Sequence, residues 1–198
     1  MSTIDHWTGP EGDQYHDRQT VRLEANVQLF ERALLNCDFD SVLELGCGDG
    51  RNLEALFDWD STLRLAGVDV NARALERAAR YGNVQRGSVT MPLPIQIGPA
   101  GLTFTKGLLI HIPPDHLAGV YQNLYNYSTR WILIAEYYNP TPVEVPYRGK
   151  AGLLWKRDFA GEMMDAYPDL RLVDYGFHYH RDDYPQDDIT FFLLEKTK

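Results

Sequence analysis

The stretch Val42-Leu43-Glu44-Leu45-Gly46-Cys47-Gly48-Asp49-Gly50-Arg51-Asn52 constrains the fold more than any other, because an apolar run ends in an acid and passes directly into alternating glycines. The run reads as a buried strand and the residues beyond it as a helix, which puts the glycines in a strand-to-helix turn. Glycine lets the backbone take positive φ and lets a ligand approach where a Cβ would collide. The free N–H groups of the following helix point into the same space, so a polar ligand is expected there.

The spacing narrows the ligand. A dinucleotide-binding turn reads G-x-G-x-x-G with an acid about 20 residues on, whereas Gly46, Gly48 and Gly50 give G-x-G-x-G preceded by Glu44. An acid ahead of the glycines suits a ligand with a positive amino group, and Asp49 inside the turn would repel a pyrophosphate. S-adenosylmethionine meets both conditions. Downstream, Leu65-Ala66-Gly67-Val68-Asp69-Val70 is a second apolar run closed by an acid, with Asn71 placed to cap the helix that begins at Ala72. Asp69 then stands at a strand's carboxyl end, where open α/β sheets bind ligands, and its carboxylate can accept two ribose hydroxyls. Glu44-x-Gly46-x-Gly48-x-Gly50 followed by Asp69 resembles the first two motifs of class I S-adenosylmethionine-dependent methyltransferases. The resemblance implies S-adenosyl-L-methionine as cofactor and S-adenosyl-L-homocysteine as product.

Strand-like and helix-like segments alternate along the rest of the chain, the pattern of a parallel sheet covered on both faces. Candidate strands are residues 41–45, 64–69, 83–87, 102–106, 130–136, 171–178 and 189–195. Seven is the number of this class, so the expected fold is a Rossmann-like three-layer α/β sandwich with a mostly parallel seven-stranded sheet and an antiparallel last strand. At 198 residues a single domain is expected, with residues 1–35 as a helical cap over the cofactor and residues 137–158 as a candidate lid or substrate loop. The formal charge of −9 argues against a nucleic-acid partner, which calls for a basic face. The two cysteines, Cys37 and Cys47, lack metal-ligand spacing, and no metal is expected. The amino terminus shows no apolar signal segment and no run reaches about 18 apolar residues, so a cytoplasmic location with no membrane contact is expected.

Further site residues follow from position. Gly87 and Ser88 occupy the third ligand-side turn, where the class holds adenine, and Val70, Cys47 and Lys106 border the same edge. Tyr15 and Arg18 can fold over the cofactor's methionine end. Lys106-Gly107-Leu108-Leu109-Ile110-His111 leaves the fourth strand beside the donated methyl group, which makes His111 a base or an acceptor-orienting group, with Glu136 as the other candidate and Tyr138 beside it. The phrases Glu136-Tyr137-Tyr138-Asn139, Pro146-Tyr147-Arg148-Gly149, Lys156-Arg157-Asp158 and Asp174-Tyr175-Gly176-Phe177 resemble the pseudaminic acid biosynthesis-associated methylases. That resemblance implies a small polar acceptor, such as a sugar or nucleotide-sugar pathway metabolite. Tyr137, Asn139, Tyr147, Arg148, Arg157 and His178 are the acceptor contacts expected with it. A protein that binds S-adenosylmethionine or S-adenosylhomocysteine without catalysis, as a sensor or partner subunit, is the alternative.

Overall fold

The protein is described by a computed structural model over residues 3–18 and 21–197, without the side chains of residues 3 and 16. Its seven-stranded sheet is built from β1 (Ser41–Leu45), β2 (Arg64–Asp69), β3 (Asn83–Arg86), β4 (Ala100–Lys106), β5 (Ser128–Glu136), β8 (Leu170–His178) and β9 (Ile189–Lys196). The two-residue strands β6 (Val143–Glu144) and β7 (Trp155–Lys156) form a separate ribbon. The order across the sheet is β3-β2-β1-β4-β5-β9-β8. The first five strands run parallel, and β9 enters antiparallel between β5 and β8. The expected Rossmann-like sandwich is therefore present, with every anticipated strand found.

The central strands are apolar on both sides because both faces are covered. All five residues of β1 are buried, and successive side chains go to opposite faces. Val42, Leu102, Phe104 and Leu133 pack under α3 (Leu23–Leu34) and α4 (Arg51–Trp59). Leu43, Leu45, Ile132 and Ile134 pack under α6 (Leu117–Tyr127) and α7 (Phe159–Ala166). Asn71 caps α5 (Ala72–Ala78) as the sequence suggests, its side chain accepting from the Ala74 N–H at 2.9 Å.

Two segments add what periodicity does not reveal. Within residues 137–158, the candidate lid or substrate loop, the backbone extends the β6–β7 ribbon as a hairpin: Val145 N–H donates to the Leu154 carbonyl at 2.9 Å, and Tyr147 and Lys150 exchange backbone bonds at 2.8 and 3.0 Å. Leu153 and Leu154 bury their side chains beneath it. The amino-terminal helices α1 (Thr3–Thr8) and α2 (Pro10–Asp17) lie across the carboxyl edge of the sheet, where the Asn71 amide donates to the Trp7 carbonyl and to Asp13 Oδ1 at 3.1 and 3.0 Å. No helix among the described residues is long and apolar enough to cross a membrane.

Candidate active site

A cavity of about 470 Å3 opens at the carboxyl ends of β1, β2 and β4, beneath α1 and α2. Its volume falls within the usual range for small-molecule sites. The glycine turn makes the floor. Gly46, Gly48 and Gly50 have φ of 77°, 51° and 85°. A Cβ on Gly46 would stand 2.5 Å from Leu108 Cδ1, so a side chain there would drive into the opposite wall as well as strain the backbone. Asp69 is locked in place at the end of β2: Oδ2 accepts from Gly48 N–H and Oδ1 from Asn71 N–H, both at 2.8 Å. A carboxylate oxygen can accept more than one hydrogen bond, so these two bonds do not bar ligand hydroxyls from Asp69.

Of the residues expected to hold the cofactor, Tyr15, Gly46, Cys47, Gly48, Asp69, Val70, Ser88 and Lys106 line this cavity, and His111 of the expected chemical group does so too. Glu44 does not. It is fully buried behind the floor, where Oε1 accepts from the Asn52 amide at 2.6 Å while Oε2 has no partner among the described residues. Burial pushes its carboxyl up to about 8, against the pull of the Asn52 bond and of Lys106. Its effect on the cavity passes through Asn52, which does line it.

Glu136 departs furthest from expectation. Expected as a base or acceptor-orienting group, it does not line the cavity. Its carboxylate lies under the turn after β4 and accepts from the N–H groups of Leu108 and Leu109 at 3.0 Å each and of Ile110 at 3.4 Å. Burial raises its pKa to about 7, even though these three bonds favour the charged form. The acid therefore anchors the segment that carries Leu108 and His111 to the site.

His111 is 8 % exposed, and its Nδ1–H donates to the Leu153 carbonyl at 2.7 Å. That bond fixes the tautomer and leaves Nε2 as the acceptor nitrogen. Burial lowers its pKa to about 4, so the ring is neutral at physiological pH. Trp7 packs on it with ring centroids 4.6 Å apart, and Tyr147 meets it edge-on at 5.1 Å and also contacts Trp7. Trp7 also touches Tyr15 at 5.3 Å, and its buried indole N–H has no partner among the described residues. An unpaired donor on a cavity wall is what a ligand acceptor atom would satisfy.

The remaining expected residues lie elsewhere. Gly87 packs against Pro94 rather than bordering the cavity. Arg18 pairs with Gln14 on the exposed side of α2. Tyr138 is 40 % exposed and leans on Phe192, because alternation beyond β5 sends Tyr137 inward and Tyr138 out. Tyr137 donates to Asp187 and packs beside the core under α3. Asn139 closes a local turn on the Thr141 carbonyl. Arg148 stacks over its neighbour Tyr147, and Arg157 is held by Glu162 at 2.7 Å. His178 is buried in β8 and donates through Nε2 to the Tyr184 carbonyl at 2.9 Å. None of these nine lines the cavity, although Tyr147 reaches its wall through His111.

The cavity also recruits residues that the sequence reading did not mark, including Trp7, Asn26, Asn52, Asn71, Thr90 and His116. Thr90 shares a 2.9 Å hydrogen bond with Ser88 Oγ, which places two hydroxyls together on this part of the cavity wall. Trp7 sits in a six-residue helix with no apolar repeat, and only its contact with His111 shows its place.

Residues 42–129 match a family model described as a methyltransferase domain. No curated protein sequence matches the chain. Among solved structures, the chain is similar to a S-adenosylmethionine-dependent methyltransferase from Anabaena variabilis (TM-score 0.71, 16% identity, 99% of this chain and 96% of that chain covered). It is similar to magnesium protoporphyrin IX methyltransferase from Synechocystis (TM-score 0.69, 12% identity, 98% and 97% covered), solved with S-adenosylhomocysteine bound. A third is 1,6-didemethyltoxoflavin-N1-methyltransferase from Burkholderia thailandensis (TM-score 0.68, 16% identity, 95% and 83% covered). Residues 42–129 thus match a methyltransferase domain, and the chain as a whole has a Rossmann-like methyltransferase fold.

Proposed function

We propose that this protein methylates a small polar acceptor, with S-adenosylmethionine bound in the cavity over Gly46, Gly48 and Asp69. One observation carries the reading: the positive-φ glycine turn and the doubly anchored Asp69 share one cavity with His111. When bound, the cofactor supplies a sulfonium methyl group that is already activated for in-line transfer. The chain's part is then to orient the acceptor and to manage its proton. Asp69 takes the ribose hydroxyls, and Ser88 and Thr90 border the base. Trp7 and Tyr15 cover the methyl-donating end from α1 and α2, the role foreseen for an amino-terminal cap.

His111 orients the acceptor. Its Nε2 accepts a hydrogen bond from the acceptor's hydroxyl or amine, and a ring with a pKa of about 4 does so without holding the proton. A sugar or nucleotide-sugar pathway metabolite is the acceptor class, supported by the likeness of Tyr147-Arg148-Gly149 and neighbouring phrases to the pseudaminic acid biosynthesis-associated methylases. Neighbours named for a porphyrin and a toxoflavin precursor agree with a small-molecule substrate. The test is a screen of amino sugars and nucleotide sugars for acceptor-dependent release of S-adenosylhomocysteine. With the acceptor found, His111→Ala should lower turnover by about 100-fold while cofactor affinity stays within about threefold. Equal turnover would remove His111 from the mechanism.

A further inference from the structure

Lys106 is the last residue of β4 and lines the cavity beside Gly107 and Leu108. Register places it on the face of the sheet that β1 shares through Glu44, since Glu44 pairs with Phe104 two residues earlier. Three carboxylates surround it electrostatically: Glu44 from β1, Glu136 from β5 and Asp187 from the segment before β9. Each of these acids has a hydrogen-bond partner of its own, although Glu44 Oε2 has none among the described residues. Glu44 is held by Asn52, Glu136 by the backbone of residues 108–110, and Asp187 by the Tyr137 hydroxyl. Lys106 Nζ makes no hydrogen bond or close ion pair with any described residue, although its side chain is half-buried in the cavity wall. A half-buried amine without a protein partner at a ligand edge is free to meet a ligand or to take part in a proton transfer.

We infer that Lys106 is the catalytic base, its Nζ taking the proton of the acceptor as the methyl group arrives. The inference rests on the methyl-transfer reading above and divides the work between two side chains, His111 orienting the acceptor and Lys106 removing its proton. The acceptor's O–H or N–H bond breaks, and its electron pair forms the new bond to the methyl carbon. The old carbon–sulfur pair stays on sulfur, and the proton moves to Nζ and later to water. Desolvation opposes the surrounding carboxylates and lowers the Lys106 pKa to about 8, which provides a neutral amine at mildly alkaline pH. Arginine could not serve, because its guanidinium does not give up its proton.

The test begins without an acceptor. Competitive labelling of the native protein with trace acetic anhydride between pH 6 and 10, read by mass spectrometry of the peptide that contains Lys106, gives the amine's titration midpoint. The midpoint expected is near 8, against about 10.4 for an ordinary lysine, with labelling suppressed at least about tenfold by saturating S-adenosylhomocysteine. An ordinary midpoint, no labelling at all, or no protection by S-adenosylhomocysteine in protein that binds it would each overturn the assignment. In the acceptor assay, Lys106→Arg should keep S-adenosylhomocysteine affinity within about threefold, lose about 100-fold or more in turnover, and lack the alkaline rise in rate of the parent protein. Parent-like turnover and pH profile in that variant would also overturn it. Failure of the unmodified protein to bind S-adenosylhomocysteine would instead strike the methyl-transfer reading, and the labelling midpoint would stand apart from it.

Discussion

Asp69→Ala is expected to weaken S-adenosylhomocysteine binding by roughly 100-fold to 10,000-fold, the largest effect of any single substitution in the cofactor half of the cavity. Two ribose hydroxyls donating to one carboxylate contribute about 1.5–3 kcal/mol each, and about 1.4 kcal/mol is a factor of ten in affinity. The same substitution removes the acceptors of Gly48 N–H and Asn71 N–H, so the glycine turn and the start of α5 lose their common anchor. Asp69→Asn keeps the shape and one acceptor oxygen, and should fall between the two. Titration calorimetry of both variants checks the order, and an Asp69→Ala protein that binds within about threefold of the parent would contradict the ribose role.

Glu136→Ala should produce the largest loss of stability among the site variants. Three backbone N–H groups, of which those of Leu109 and Ile110 are in buried residues, would lose their acceptor. Leaving such donors unpaired costs about 1–3 kcal/mol each before water or local shifts compensate, for a net loss of about 3–5 kcal/mol. In a chain of this size that lowers Tm by about 6–20 °C. Cofactor affinity should fall with it, because Leu108 forms the wall facing Gly46. Glu136→Gln retains an acceptor oxygen and should lose much less. A Glu136→Ala protein that melts within about 2 °C of the parent would show that the turn holds itself without the carboxylate.

These two acids mark the boundary of what could be read from the chain. Asp69 was legible because a buried parallel strand is a continuous apolar run, and an acid closing such a run must stand at the ligand edge. Glu136 closes a strand in the same way, yet the turn after β4 folds back and takes its carboxylate. Nothing in the spacing between residue 136 and residues 108–110 announces that closure. Tyr137 and Tyr138 show the same limit on a smaller scale: alternation says that one points in, and only the bond to Asp187 says which. The pairing of β6 with β7 and the seat of Trp7 on His111 are long-range events. They depend on side chains brought together by the sheet, so local pattern carries little trace of them. His178, expected among the acceptor contacts, is a buried donor to a carbonyl within its own hairpin.

The central claim is that the cavity over Gly46, Gly48 and Asp69 is a cofactor site for S-adenosylmethionine. Its most direct test is calorimetric titration of the purified, ligand-stripped protein with S-adenosylmethionine and S-adenosylhomocysteine. One molecule of either per chain, bound with a dissociation constant on the order of 1–10 μM, is the predicted result. No heat and no saturable binding with either ligand would contradict it, and would leave the chain a methyltransferase fold without the cofactor that its glycine turn is shaped to receive.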